Sequence, residues 1–173
     1  MKLFAYWLVF AASASIALVH GLLWRSWLPE RVPTHFGING VPNAWMSRDG
    51  ALLSYFAGVA ITALVLAGLV ALLPRLPVSV INIPNREYWF ADARRVESHL
   101  RISRALLLFS SATVLFLVSV FHLTFRASQQ VPQSLPFSEA APFVVAFLAC
   151  VVAFVVWAFL AFRLPSAPGG PTP

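Results

Sequence analysis

Hydrophobic residues are arranged along this chain in four long runs that no charged side chain interrupts. The four runs are residues 3–24, 50–74, 105–125 and 140–162. A helix rises about 1.5 Å per residue, so roughly 20 residues cross a hydrocarbon core about 30 Å thick. In lipid a spanning segment must satisfy its own backbone hydrogen bonds, which favours helices. The pattern predicts an all-α, integral membrane four-helix bundle. We expect its spans at about 3–26, 50–74, 104–125 and 140–163.

The four spans leave little chain for a soluble domain. We expect residues 1–164 to form a single four-span transmembrane domain and the Pro/Gly-rich residues 165–173 to form a disordered tail. The first run continues uncharged to Trp24, beyond the about 7–15 apolar residues of a cleaved signal peptide. We therefore expect an uncleaved anchor.

The charge balance indicates lipid headgroups as partners. The chain has a net charge of +6, with 10% charged residues against about 25% in typical soluble domains. The charges lie at the ends of the apolar runs and in loops, which suits a bilayer with anionic headgroups. No nucleic-acid-binding motif is present, so we expect no nucleic-acid partner. With a cytoplasmic N-terminus, eight of the 12 basic residues fall inside. This excess predicts that both termini are cytoplasmic.

The predicted outer loop, about residues 25–49, carries strong backbone restraints. Its prolines forbid a regular helix, and Asn39-Gly40 is a strong tight-turn signal. Residues 32–36 precede that turn as a short extended arm, and Trp45 offers a large amphipathic ring. We expect a structured loop over the outer mouth of the helices.

The predicted inner segment, about residues 75–104, contains a turn followed by a basic amphipathic helix. Asn82, Pro84 and Asn85 indicate the turn, and Asp92 is expected to cap a helix from about 93 into the third span. The side chains expected on its charged side are Arg94, Glu97, Arg101 and Arg104; Ala93, Val96 and Leu100 are expected on the other. Two alternatives remain open for this segment: a docking surface for a cytoplasmic regulator, or a re-entry turn with a helix lying on the anionic membrane surface.

Two motifs in these segments carry a family resemblance. The first is Leu28-Pro29, Pro33-x-His35-Phe36 and Gly40-x-Pro42-x-x-Trp45. The second is Asn82-Ile83-Pro84-Asn85-x-x-Tyr88-Trp89, followed by Arg94-Arg95. Together, within about residues 20–100, they resemble domain of unknown function 1648 and the membrane proteins similar to the immunity protein for the sporulation-delaying toxin (SdpI-like proteins). Asn43 stands where the family usually has Asp, and Asp92-Ala93 where it usually has Pro-Glu.

The resemblance implies a multi-pass protein of the bacterial plasma (inner) membrane with a role in toxin immunity or signalling. It makes the outer loop and the inner segment the candidate binding sites. The candidate residues of the outer loop are Pro33, His35, Phe36, Gly40, Pro42 and Trp45. Those of the inner segment are Asn82, Pro84, Asn85, Tyr88, Trp89, Arg94 and Arg95.

Three of the four histidines fall on the outer side in this topology. His20 lies in the outer half of the first span, His122 near the outer end of the third, and His35 in the outer loop. An ionisable group inside a span is costly and is a functional candidate by default. The alternatives are structural roles, a polar or proton-linked site, or a zinc ion held by three imidazoles. The sequence has no His-x-x-x-His spacing, so the three are weak metal candidates.

These observations leave three functions open. The first is a non-enzymatic membrane binding, immunity or signalling module whose partners are an external peptide toxin or a membrane protein, and a cytoplasmic regulator. The second is a transport or accessory subunit of a larger membrane complex. The third is a metal- or proton-linked site built from the outer histidines. No nucleophile–base pair, phosphate loop or paired carboxylate stands out, so we expect neither enzymatic activity nor a cofactor.

Overall fold

The computed structural model describes residues 3–165. Residues 166–173, which hold nearly all of the predicted tail, lie outside the described residues. In chain order the elements are α1 (Leu3–Trp24), β1 (Arg31–Phe36), β2 (Pro42–Ser47), α2 (Arg48–Leu72), α3 (Arg86–Trp89), α4 (Asp92–Ser128) and α5 (Phe137–Ala161). Two short 3₁₀ turns, Leu73–Arg75 and Val78–Val80, follow α2.

Within residues 3–165, four helices are long and apolar enough to cross a membrane: α1, α2, α4 and α5. The predicted all-α membrane bundle is therefore confirmed. Local chemistry sets the helix boundaries. The Ser47 side chain accepts a hydrogen bond from the Gly50 amide (3.1 Å) and caps α2, and Asp49 adds a favourable charge to its first turn.

The centre of the bundle is α4, which packs against α1, α2 and α5. Its buried face alternates apolar residues such as Leu107 and Val114 with small serines. The buried hydroxyl of Ser111 donates to the Leu107 carbonyl (2.8 Å) and is satisfied within the helix. Small residues allow the close helix approach on which packing in lipid depends.

One face of α1 carries small residues and is buried. Ser13, Ala17 and Gly21 all lie in the interior. The helices α1 and α2 touch each other, and each has a larger interface with α4.

The last helix, α5, packs on one side of α4 and has no buried residue. Stacked rings join the two helices: the centroids of Phe116 and Phe147 are 4.2 Å apart and those of Phe109 and Phe154 are 4.7 Å apart. The outward side of α5 is apolar along its length, as expected for a surface that meets lipid.

The outer loop folds as an antiparallel β-hairpin of β1 and β2. Its turn is closed by the Gly37 amide, which donates to the Val41 carbonyl (2.8 Å). Gly40 has φ +76°, a conformation that glycine adopts without strain. The extended arm and the Asn39-Gly40 turn are confirmed, and the sequence did not predict the second strand. We call this end of the bundle, with the connector at residues 129–136, the hairpin end.

The opposite end, which we call the turn end, comprises residues 73–104. Two expectations for α4 are wrong here. The helix begins at Asp92, whose carboxylate pairs with Arg95 (3.2 Å), so Asp92 is not its cap. Ser98 and Ile102 form the buried side, while Val96 is 72% exposed. The basic side therefore turns partly toward the protein and an apolar residue turns outward.

Candidate functional site

The hairpin is fixed on the bundle by contacts with the connector at residues 129–136. The Leu135 amide donates to the Gly40 carbonyl (2.9 Å), and the Trp45 indole N–H donates to Oε1 of Gln133 (2.9 Å). A Cβ on Gly40 would lie 2.7 Å from the Leu135 carbonyl oxygen, so only glycine permits this approach. Val32 of β1 is completely buried in the core of the bundle. The hairpin is thus a preformed part of the fold.

Three of the six candidate residues in the hairpin are positioned by the fold and three face outward. Pro33 and Pro42 are buried and Gly40 makes the close approach to the connector. The remaining candidates, His35, Phe36 and Trp45, stay accessible to solvent to different extents. The Nδ1–H of His35 donates to Oδ1 of Asn43. The Arg31 guanidinium lies 5.5 Å from the Trp45 ring centroid, within cation–π range.

An apolar groove of about 600 Å³ lies between the hairpin and the start of α5. The residues that line it are Phe36, Gly37, Ile38, Leu135, Phe137 and Ala140. Ile38 at the tip of the hairpin is fully exposed, and Phe137 on the facing wall is 75% exposed. Large apolar side chains left open around a groove are typical of a binding surface.

Two of the histidines meet inside the bundle near the hairpin end. Nε2 of His20 on α1 lies 3.1 Å from Nδ1 of His122 on α4. Nδ1 of His20 lies 3.1 Å from the Tyr55 hydroxyl on α2, which donates to the Ala17 carbonyl (2.7 Å). This histidine chain joins three helices through side-chain hydrogen bonds. Sequence reasoning missed Tyr55, although a phenol inside an otherwise apolar run was the available signal.

His35 does not belong to the histidine chain, because it is held on the hairpin by Asn43. Among residues 3–165, no three His, Cys, Asp or Glu side chains converge as a metal ion would require. The fold therefore does not bring together His20, His35 and His122, the three weak metal candidates. The fourth histidine, His99, is half-buried and packs edge-on against Phe90, with ring centroids 5.0 Å apart.

At the turn end, the second motif caps the last helix. The Asn85 side-chain amide and the Trp89 indole N–H both donate to the Phe162 carbonyl, at 2.9 and 2.8 Å. The Arg101 guanidinium donates to the Ala161 carbonyl (2.8 Å) and lies 5.1 Å from the Trp89 ring centroid. The last carbonyls of a helix have no partner within it. The motif thus supplies donors to α5, which favours the structural alternative for Asn85 and Trp89.

The other inner candidates differ in exposure. Arg94 donates to the Tyr88 carbonyl (2.8 Å), and its guanidinium lies 3.8 Å from the Tyr88 ring centroid. Pro84 is half-buried, whereas Asn82 and Arg95 are exposed. The candidates of this segment that stay exposed are therefore Asn82 and Arg95, together with Asn85, whose side-chain amide is bonded to Phe162.

Comparison with known proteins adds one similarity. No curated protein and no solved structure is detectably similar to the chain. A family model matches residues 4–59, about a third of the chain, which comprise α1, the hairpin and the first turns of α2. The second motif, at residues 82–95, lies outside this match. Over residues 4–59, the chain is similar to the family described as domain of unknown function (DUF1648).

Proposed function

We propose that the protein is a non-enzymatic binding module of the bacterial plasma membrane that captures an external peptide at its hairpin end. In this proposal the hairpin end faces outward and both termini lie in the cytoplasm. The excess of arginine at the turn end supports that orientation, since basic residues are retained on the cytoplasmic side. The family resemblance supports a peptide toxin as the class of ligand.

The observation that carries the proposal is the groove between the hairpin tip and α5. Both walls are held in place without a ligand, because the Leu135–Gly40 and Trp45–Gln133 hydrogen bonds tie the hairpin to the connector. A preformed site has a smaller entropic cost of binding. Its apolar lining and the free Ile38 side chain suit a peptide that presents apolar side chains.

The turn end has a different role in this proposal. Asn85, Trp89 and Arg101 are occupied in capping α5, so the surface left for a cytoplasmic regulator consists of exposed residues beside them, including Asn82, Glu87 and Arg95. Capping ties this surface to the position of α5, and the first residues of α5 line the groove at the other end. One helix thus connects the two proposed binding surfaces.

The test is protection of cells against peptides. A strain without the gene is challenged with a panel of secreted amphipathic peptides and complemented with the wild-type protein, Ile38→Asp or Val131→Asp. Val131 is a matched control because it is also apolar, fully exposed and at the hairpin end, but does not line the groove. We expect the wild-type protein and Val131→Asp to restore resistance to at least one peptide, and Ile38→Asp to fail at equal membrane abundance.

Resistance restored fully by Ile38→Asp would exclude the groove as the binding site. A gene deletion that changes sensitivity to none of the peptides would count against peptide capture itself. Site-specific photocrosslinking of the same labelled peptides from position 38, compared with position 131, measures binding directly and independently of any phenotype.

A further inference from the structure

With both imidazoles neutral, the histidine chain of His122, His20 and Tyr55 has only one arrangement of protons that satisfies all its contacts. The single hydroxyl proton of Tyr55 is used on the Ala17 carbonyl, at 2.7 Å. The Tyr55 oxygen must therefore accept at its second contact, and the donor is Nδ1–H of His20 (3.1 Å). A neutral His20 with its proton on Nδ1 has a bare Nε2.

That bare nitrogen fixes the next link. Nε2 of His20 lies 3.1 Å from Nδ1 of His122, so it accepts and Nδ1 of His122 carries the proton. The hydrogen bonds thus run in one direction, from His122 to His20, from His20 to Tyr55 and from Tyr55 to the Ala17 carbonyl. Nε2 of His122 is left as the one imidazole nitrogen of the pair with no hydrogen bond among residues 3–165.

From this arrangement we infer that the His20–His122 pair is a binding site for a single proton, taken up at Nε2 of His122. Uptake there turns His122 into an imidazolium that still donates from Nδ1 to His20. The link between α1 and α4 therefore survives the first proton. This inference goes beyond the proposed function and does not depend on a peptide ligand.

A second proton is excluded by the same geometry. It would have to occupy Nε2 of His20, which would then face Nδ1–H of His122 across 3.1 Å, donor against donor and charge against charge. The rings of Trp24 and Phe125 pack on the pair, with centroids 5.6 Å from His122 and 6.2 Å from His20, respectively. In apolar surroundings an unshared charge is costly, so the imidazolium depends on the neighbouring imidazole as its acceptor.

Among the other titratable and charged groups near this end, Arg126 lies one helical turn after His122, and its positive charge disfavours a second positive charge on the pair. The exposed ones are Arg25 from α1, Glu30 from the loop before β1, Arg31 and His35 from β1, Asp49 from α2 and Arg126 from α4; Arg48 of α2 and Glu139 of α5 are half-buried. None of them forms a hydrogen bond or an ion pair with either imidazole in the described part of the chain. No carboxylate is therefore placed to hold a second positive charge.

The test is nitrogen NMR of the full chain, labelled with ¹⁵N-histidine, in lipid nanodiscs. At neutral pH we expect His20 and His122 both to carry the proton on Nδ1. On acidification from neutral pH to the lowest pH at which the chain stays folded, we expect His122 to become an imidazolium while Nε2 of His20 stays unprotonated.

Three results would each overturn the inference. They are the charging of both imidazoles, no proton uptake by either ring, and an Nε2–H tautomer of His20. A second measurement counts protons taken up over the same pH range by the wild-type protein and by His122→Gln. The variant should take up one proton fewer, and equal uptake would contradict the assignment to His122. If that variant fails to fold, the titration of the wild-type chain decides alone.

Discussion

Gly21 shows at the residue scale how one missing methyl group sets the distance between α1 and α2. A Cβ there would lie 2.5 Å from Cε1 of Tyr55 and 2.6 Å from Cζ of Phe56. Tyr55 cannot yield easily, because it is completely buried and hydrogen-bonded to both His20 and Ala17. The helix would have to shift to admit the methyl group.

We therefore predict that Gly21→Ala destabilises the protein by about 1–3 kcal/mol, the usual cost of overpacking. The measurement is thermal or denaturant unfolding in detergent. Gly58→Ala is the matched control, since a Cβ on this other helical glycine meets nothing within 4 Å. Because alanine favours a helix over glycine, the control should be neutral or slightly stabilising. Equal stability of the two variants would contradict the tight contact.

At the element scale, the second motif stabilises the fold by capping the end of α5. In the wild-type protein the ring centroids of Trp89 and Phe162 are 5.7 Å apart. Trp89→Phe keeps an aromatic ring against Phe162 but removes the N–H that donates to the Phe162 carbonyl. We predict a loss of about 0.5–1.5 kcal/mol, typical of one hydrogen bond. The loss should be larger in Trp89→Phe/Asn85→Ala, because that carbonyl then loses both donors.

Hydrogen exchange of the last turn of α5 is the local measurement, and we expect faster exchange there in both variants than in the wild-type chain. Asn82→Ala provides the comparison, as Asn82 belongs to the same motif but is exposed. Fast exchange in Asn82→Ala, or unchanged exchange in the double variant, would show that these side chains do not hold the end of α5.

At the other end of the bundle, Gly40 controls whether the hairpin can dock. Gly40→Ala places a side chain on a residue with φ +76° and brings its Cβ to 2.7 Å from the Leu135 carbonyl oxygen. The left-handed backbone alone costs about 1–2 kcal/mol for a residue other than glycine. We predict that the Leu135 amide, which donates to Gly40, loses its protection from hydrogen exchange.

Gly37→Ala tests whether that effect belongs to the docking contact or to any alanine in the turn. Its Cβ would lie 3.1 Å from the side-chain oxygen of Asn39, which can move, and at an ordinary contact distance of 3.6 Å from the Val41 carbonyl oxygen. Protection of Leu135 should survive in this variant. Equal loss of protection in Gly37→Ala and Gly40→Ala would mean that the turn is generally soft and that docking does not depend on Gly40.

The whole molecule divides into features that sequence reasoning can predict and features that it cannot. The spans were predictable because lipid tolerates only long uncharged runs, and the turn at Asn39-Gly40 follows from backbone preference alone. The similar depth of His20 and His122 follows from their positions in the first and third spans, which run in the same direction, but their contact does not follow from depth alone. These signals are local, or depend on one dimension, the depth in the bilayer.

Features that depend on contacts between distant residues escaped prediction. Asn85 and Trp89 donate to Phe162, more than 70 positions away, and nothing in their motif indicates that partner. The buried side of α4 near Ser98 was misplaced for the same reason. Charge spacing predicted an outward basic face, but the carbonyls of α5 and the Tyr88 ring draw Arg101 and Arg94 inward.

Orientation in the membrane is the property of the whole molecule on which the proposed binding of an external peptide depends. In residues 3–165, seven arginines lie at the turn end or beside it and four at the hairpin end, while each end has three acidic residues. The positive excess predicts that the turn end stays in the cytoplasm.

The measurement is labelling of single cysteines by a membrane-impermeant maleimide in a Cys150→Ala background, because Cys150 is the one native thiol. We expect Val131→Cys to react in intact cells, and Glu87→Cys, which is also exposed, to react only after permeabilisation. The reverse pattern would leave the bundle, the cap and the histidine chain as described, but would place the groove in the cytoplasm, where it could not meet an external peptide.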